Sequence, residues 1–161
     1  MAVRACLATS EADICFMLYV GTVTPLPQKV WKKDSPDIWV RPILEGEASV
    51  TSHFGTPIVQ YVGATSGCGC DFPHVLLHNG ELREFLNAED DPEQLATYRR
   101  NRRALADLLR GHDEKLIEIY GVWAGNEAKA PSRVSQISLN QFLDDAFALG
   151  EQVFYRVTIE I

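Results

Sequence analysis

Ile14-Cys15-Phe16-Met17-Leu18-Tyr19-Val20 is apolar at every position. An unbroken apolar run of strand length, without alternation, predicts a strand covered on both faces and therefore central in a sheet. Thr24-Pro25-Leu26-Pro27 ends it, because neither proline can donate to a ladder. Residues 28–37 are polar and include Ser35-Pro36-Asp37, a loop signal. Ile38-Trp39-Val40-Arg41 reads as a short strand stopped by Pro42. Glu45 to Phe54 reads as a short helix with Val50 and Phe54 on one face and Pro57 beyond its end. Ile58-Val59-Gln60-Tyr61-Val62 is another strand. Gly63 to Gly69 then holds three glycines, the mark of tight turns and close backbone approach.

Val75-Leu76-Leu77-His78 and Glu81-Leu82-Arg83 flank Asn79-Gly80, a hairpin signal because a type I′ turn needs positive φ twice. A short helix from Glu81 competes with it. Pro92 to Arg110 is the clearest element. Asp91 suits the N-cap, Pro92 the first helical position, Gln94 a capping box and Gly111 the C-terminal stop. Leu95, Tyr98, Leu105, Leu108 and Leu109 make one face. Arg102 interrupts it, with its stem expected over apolar surface and its head in water. Leu116 to Trp123 is a strand, Asn126 to Pro131 a loop, Val134 to Leu139 a further strand, and Leu139 to Leu149 holds a helical turn. In Gln152 to Ile161, Val153, Tyr155, Val157, Ile159 and Ile161 alternate with Phe154, Arg156, Thr158 and Glu160, the pattern of a half-buried antiparallel strand. The expectation is α+β: a mostly antiparallel sheet with one long helix, about 92–110, packed on one face. No repeat or linker divides the chain, so residues 1–161 are expected to form a single globular domain, with 1–12 loosely ordered.

A chain of 161 residues buries roughly 70% of the surface its unfolded form exposes, so folding requires neither a metal nor a disulfide. The formal net charge of −7 repels phosphate backbones and anionic lipid, which counts against nucleic acid as the main partner. The longest apolar run has strand length, short of the ~20 residues a membrane helix needs. The N-terminal dozen residues lack the apolar core of a secretory signal, so a cytoplasmic setting with reduced thiols is expected. Of the four cysteines, Cys6 lies in the N-terminal lead and Cys15 reads as a small buried hydrophobe. Cys68 and Cys70 have a suggestive spacing.

Leu18-Tyr19, Thr24-Pro25-Leu26-Pro27, Trp31, Val50, His53-Phe54, Tyr61-Val62-Gly63 and Gly67-Cys68-Gly69-Cys70-Asp71-Phe72 together resemble a family of small uncharacterised bacterial proteins with a Gly-Cys-Gly-Cys-x-Phe element after a strand. The resemblance covers residues 12 to 72 and continues weakly through Tyr120 to Trp123. Asp71 stands where a glycine is common in that family, and the Arg-rich helix looks like an insertion. The family has no established activity. The resemblance therefore implies a fold and a bacterial cytoplasmic setting, and draws attention to Cys68 and Cys70 without implying any chemistry.

Three readings of that turn stand side by side. As metal ligands, Cys68 and Cys70 would bind zinc or another thiophilic ion, with His53 and His74 completing the set and His78 as a further imidazole. The single intervening residue departs from the Cys-x2-Cys of zinc ribbons. As a redox pair, they would close a small, strained and hence oxidising disulfide, with His74 the nearest cation to lower a thiol pKa. As structure alone, the glycines allow a sharp turn and the cysteines are small enough to sit beside it.

Other chemistries are weaker. No Lys-Ser/Thr follows the glycines, and Phe72 occupies the place of a third glycine, so no dinucleotide or phosphate loop is indicated. A hydrolase would use Cys68 or Ser66 with His53, His74 or His78. Arg99, Arg100, Arg102, Arg103 and Arg110 make the long helix basic, but Glu89, Asp90, Asp91, Glu93 and Asp107 offset them. Asp144 and Asp145 are adjacent and point apart on a helical turn, a poor shared site. The preferred expectation is a cytoplasmic protein with thiol or metal chemistry at Cys68/Cys70. The alternative is a non-catalytic module that binds another protein, its Gly-Cys-Gly-Cys turn purely structural.

Overall fold

In the computed structural model, which describes residues 15–78, 81–82 and 91–160, the apolar run at the start of the chain becomes β1 (Phe16–Thr22). It is followed by β2 (Trp39–Pro42), a 3-10 helix (Glu45–His53), β3 (Ile58–Gly63), a 3-10 turn (Gly69–Asp71), and the short strands β4 (His74–Val75), β5 (Leu77–His78) and β6 (Glu81–Leu82). Then come α1 (Pro92–Arg110), β7 (Leu116–Trp123), β8 (Arg133–Ser138), α2 (Leu139–Phe142), β9 (Leu149–Gly150) and β10 (Val153–Thr158). The N-terminal lead with Cys6, the start of the first strand at Ile14, the Asn79-Gly80 tip, Arg83, Glu89, Asp90 and Ile161 lie outside the described residues.

The main sheet has six strands in the order β2-β3-β1-β7-β10-β8. β1 pairs antiparallel with β3 and with β7, which places it inside the sheet, the central position its unbroken apolar run predicts. Its even-numbered residues Phe16, Leu18 and Val20 enter one core together with Leu105, Ala106 and Leu109 of α1. Its odd-numbered Tyr19 enters a second core, on the other face, with Val50, Tyr61, Tyr120 and Phe154. The fold is α+β, but the sheet is mixed rather than mostly antiparallel. β10 runs antiparallel to β7 and parallel to β8, and the small β4–β9 pair is also parallel. The physical reason is the connection. Residues 139–152 carry the chain through α2 and back to the starting end of β8, the length of crossover that parallel neighbours require. The alternation read in Gln152 to Ile161 holds, with Val153, Tyr155 and Val157 in the first core and Phe154 in the second.

The hairpin reading wins over the helix at Glu81: Leu77 pairs with Leu82 and His78 with Glu81. α1 has the predicted bounds. Asp91 accepts a hydrogen bond from the Gln94 N–H at 3.1 Å, and Pro92 opens the first turn. Gly111 closes the helix at φ −72°, still right-handed, so its positive-φ freedom is not used. Arg102 departs from expectation. Its head is buried, bonded to Asp145 Oδ1 at 3.1 Å and to the Phe147 carbonyl at 2.6 Å, while Arg99 takes the other oxygen of Asp145. Part of the helix's basic charge thus docks it onto the 145–147 segment. No helix among the described residues is long and apolar enough to cross a membrane.

Candidate functional site: three sulfurs at the end of β1

The β1–β3 register ends at Leu18 opposite Val62, and after Gly63 the chain turns back across the start of β1. The Ala64 N–H donates to the Cys68 carbonyl at 2.7 Å, the Gly67 N–H donates to the Ala64 carbonyl at 3.0 Å, and Gly67 takes φ +93°. That positive φ is a conformation glycine adopts without steric cost. Gly69 lies so close to β1 that a Cβ there would stand 2.4 Å from the Phe16 carbonyl oxygen. Phe72, fully buried, anchors the exit.

α1 holds the turn from above. Asn101 is completely buried; its side-chain amide donates to Thr65 Oγ1 at 3.1 Å and to the Asp71 carbonyl at 3.3 Å, and its oxygen accepts the Thr65 N–H at 3.4 Å. One side chain therefore ties both ends of the Gly-Cys-Gly-Cys segment. The Trp31 indole N–H donates to the Thr65 carbonyl at 3.0 Å from the other side.

This arrangement brings the Sγ atoms of Cys15, Cys68 and Cys70 within 4.8 Å of one another. Cys68 is 2% exposed and Cys15 9%, whereas Cys70 is only partly buried. Cys68 and Cys70 are free thiols, and Cys15 is disulfide-bonded. Cys15 is buried, as expected of it, and in addition its sulfur joins the two of the turn. The Phe16 N–H, past the last β1–β3 pair, donates to Cys70 Sγ at 3.3 Å. The Cys70 N–H donates to Cys68 Sγ at 3.4 Å, and Ser66 Oγ lies 3.9 Å from the same sulfur.

The two free thiols are electrostatically unequal. A hydrogen bond from the Cys68 thiol, helped by the Phe16 N–H and opposed by burial, holds Cys70 down at about 7. The same bond, together with burial, pushes the Cys68 thiol up. Of the pair, the more exposed Cys70 is therefore the sulfur that ionises first, while Cys68 keeps its proton.

The histidines play other parts. His53 lies on the opposite face of the sheet, against Tyr120, where its Nε2 donates to the Glu127 carbonyl at 2.9 Å. It does not reach the sulfurs, because the sheet stands between them. His74 is nearer but committed: its ring stacks on Phe16 at 4.5 Å and its Nδ1 donates to the Phe72 carbonyl at 2.7 Å. Burial pushes His74 down, so it is not the cation that activates a thiol. Its place as third ligand falls to Cys15: the three sulfurs are a group that could hold a soft metal ion, once the Cys15 disulfide is opened. Among the described residues, Ser66 and Cys68 face each other while His53 and His74 bond backbone carbonyls, so neither of these two histidines serves as a base for them.

Sequence reasoning missed Cys15 and Asn101. The signal for Cys15 lay in register. If the strand at 58–62 neighbours the one at 14–20 as an antiparallel pair, the turn that follows it must lie beside the first residues of that strand. Asn101 gave no signal, because a polar residue among arginines on a helix reads as solvated. No family model, no curated protein and no solved structure matches this chain.

Proposed function

We propose that the Cys68-Gly69-Cys70 turn is a thiol–disulfide exchange site in which Cys70 attacks and Cys68 resolves. The supporting observation is the inequality of the two thiols: a partly exposed Cys70 sulfur that accepts hydrogen bonds, beside a buried Cys68 that keeps its proton. The thiolate is the nucleophile in exchange. The co-reactant is a disulfide, RSSR′. Cys70 Sγ bonds to one sulfur, the S–S bond breaks, and R′S⁻ leaves and is protonated. Cys68 then loses its proton and bonds to Cys70 Sγ, and RS⁻ leaves with that proton. Two electrons pass from the cysteine pair to RSSR′, which becomes two thiols. The Cys-Gly-Cys ring is small, and strain of that kind makes the disulfide product easy to reduce again.

The test is stopped-flow reaction of the reduced protein with glutathione disulfide at pH 7. A thiol at about 7 instead of 9.0 gains in ionised fraction more than it loses in nucleophilicity, so Cys70 should react about fivefold faster than an ordinary thiol. Cys70→Ser should lose that phase. Cys68→Ser should stop at a glutathione adduct on Cys70. A wild-type rate equal to that of the urea-unfolded chain would discard the reading.

The mutual proximity of the three sulfurs favours a second reading, a thiophilic ion bound after reduction of the Cys15 disulfide. Elemental analysis of protein purified under reducing conditions, beside a Cys68→Ser/Cys70→Ser control, separates the two. Near-stoichiometric zinc or copper that the control lacks supports the ion, and metal-free protein that still exchanges rules it out.

A further inference from the structure

The main sheet has two edges, and the chain treats them differently. At the β2 edge, Lys29 lies along the strand: its N–H donates to the Val40 carbonyl at 3.0 Å, and its carbonyl accepts the Val40 N–H at 3.1 Å. Pro42, which has no N–H to offer, closes that strand. At the other edge, among the described residues, β8 has a neighbour on one side only, β10. Arg133-Val134-Ser135-Gln136-Ile137-Ser138 carries its one charge at its first residue and contains no proline. Its register with β10 runs without a bulge, and Val134 and Gln136 are exposed, Val134 at 56%. Native sheets blunt their open edges with charge, proline, bulges or a covering segment. Residues 134–138 show none of these, and their outward backbone groups remain a template for another strand.

We propose that β8 is a self-association edge: two copies of this chain pair β8 to β8, antiparallel, about a two-fold axis normal to the sheet at Gln136, so that one sheet runs through both. Two features fit a second copy of this chain. On the axis, Gln136 meets its own counterpart, and a carboxamide carries both a donor and an acceptor, so the two can bond each other. Antiparallel pairing also sets the start of each strand beside the end of the other. The start carries Arg133, exposed and without an ion pair among the described residues. Just past the end stand Asn140 and Glu160, both exposed and hydrogen-bonded to each other at 2.8 Å. With Gln136 on the axis, Arg133 lies opposite the second copy's Leu139, one position short of the second copy's Asn140 and the Glu160 beside it. Symmetry makes that approach of opposite charges twice. Val134, open at the edge, gains a strand beside it. A six-residue strand from each copy is a small contact, below the ~1,200 Å² at which standard interfaces begin, so the dimer is weak and reversible.

The experiment is sedimentation equilibrium of the full chain from about 5 μM to about 1 mM. The average mass should climb from 18.0 kDa toward twice that value. Val134→Lys, which puts a charge on the open edge, should stay monomeric throughout. Arg133→Glu and Glu160→Arg should each do the same, because each sets like charges together. The double variant Arg133→Glu/Glu160→Arg restores opposite charges and should recover the dimer. Circular dichroism checks that all four variants keep the fold. Amide hydrogen exchange in 133–138 should be fast in dilute protein and slow in concentrated protein, while 119–121 stays unchanged. A wild type still monomeric at the highest concentration overturns the proposal, as does a dimer that Val134→Lys leaves intact. A double variant that stays monomeric like its single parents overturns the antiparallel two-fold arrangement.

Discussion

Cys70 is where burial and hydrogen bonding oppose each other, and the hydrogen bonds win. Burial alone would raise its pKa, yet the Cys68 thiol and the Phe16 N–H both stabilise the charged sulfur. The sign is testable. A folded-state value of about 7, below the ordinary 9.0, means that the reactive thiolate is scarce below that pH and saturates above it. Iodoacetamide labelling of Cys70, read by mass spectrometry across pH 5 to 10, should rise to half its plateau near 7, while Cys68 stays unlabelled until the protein is unfolded. A midpoint near 9 would mean that the neighbouring thiol does not share its proton. Gly69 makes the pairing possible at all. With a Cβ 2.4 Å from the Phe16 carbonyl oxygen, the turn would lift away from β1 and take Cys70 with it. That glycine was legible as a site of close approach; what it approaches was not, because the approach is between segments some fifty residues apart.

At the scale of elements, local signals were read well wherever local physics decides. The bounds of α1 follow from Asp91, Pro92 and the leucine face, and those of β7 from its apolar run. Replacing Asp91 by Ala removes the side-chain acceptor of the Gln94 N–H and should lower stability by about 1 kcal/mol in urea unfolding. Asp91→Asn, which keeps an acceptor, should recover most of that loss. The 3-10 form of Glu45–His53 was less legible. The four-residue spacing of Val50 and Phe54 suggested a short helix, and the segment is one of the tighter 3-10 kind, with Val50 buried in the same cluster as Tyr19 and Tyr61. Arg102 shows the limit most clearly. An arginine in an apolar stripe reads as a snorkelling side chain, and only the return of the chain at 145–147 supplies the carboxylate and carbonyl that let its head be buried.

Across the whole molecule, what escaped the sequence is what depends on strand partners. The α+β class followed from the balance of elements, but nothing in Arg133–Ser138 says that it will lie parallel to the last strand. The candidate site suffered likewise: two of its sulfurs came from spacing, and the third came from the pairing of β1 with β3. The sheet order makes β1 and β7 interior, each with a strand on either side, and leaves β8 at one edge. Amide hydrogen exchange followed by mass spectrometry should therefore be slowest in 18–20 and 119–121 and markedly faster in 133–138, because edge strands open without disturbing the rest. Equal protection in β7 and β8 would contradict this order of stability.

The bond from the Phe16 N–H to Cys70 Sγ has one more consequence. In the ladder a carbonyl oxygen takes such a proton, and a carbonyl does not change its charge. Here the acceptor is an atom whose electron density changes when it is protonated, alkylated or joined to another sulfur. The resonance frequency of a single amide in the middle of the protein thus becomes a gauge of sulfur chemistry. A nitrogen-15 spectrum of the intact chain would display the state of the turn as the position of one peak, with no dye attached and no cysteine consumed.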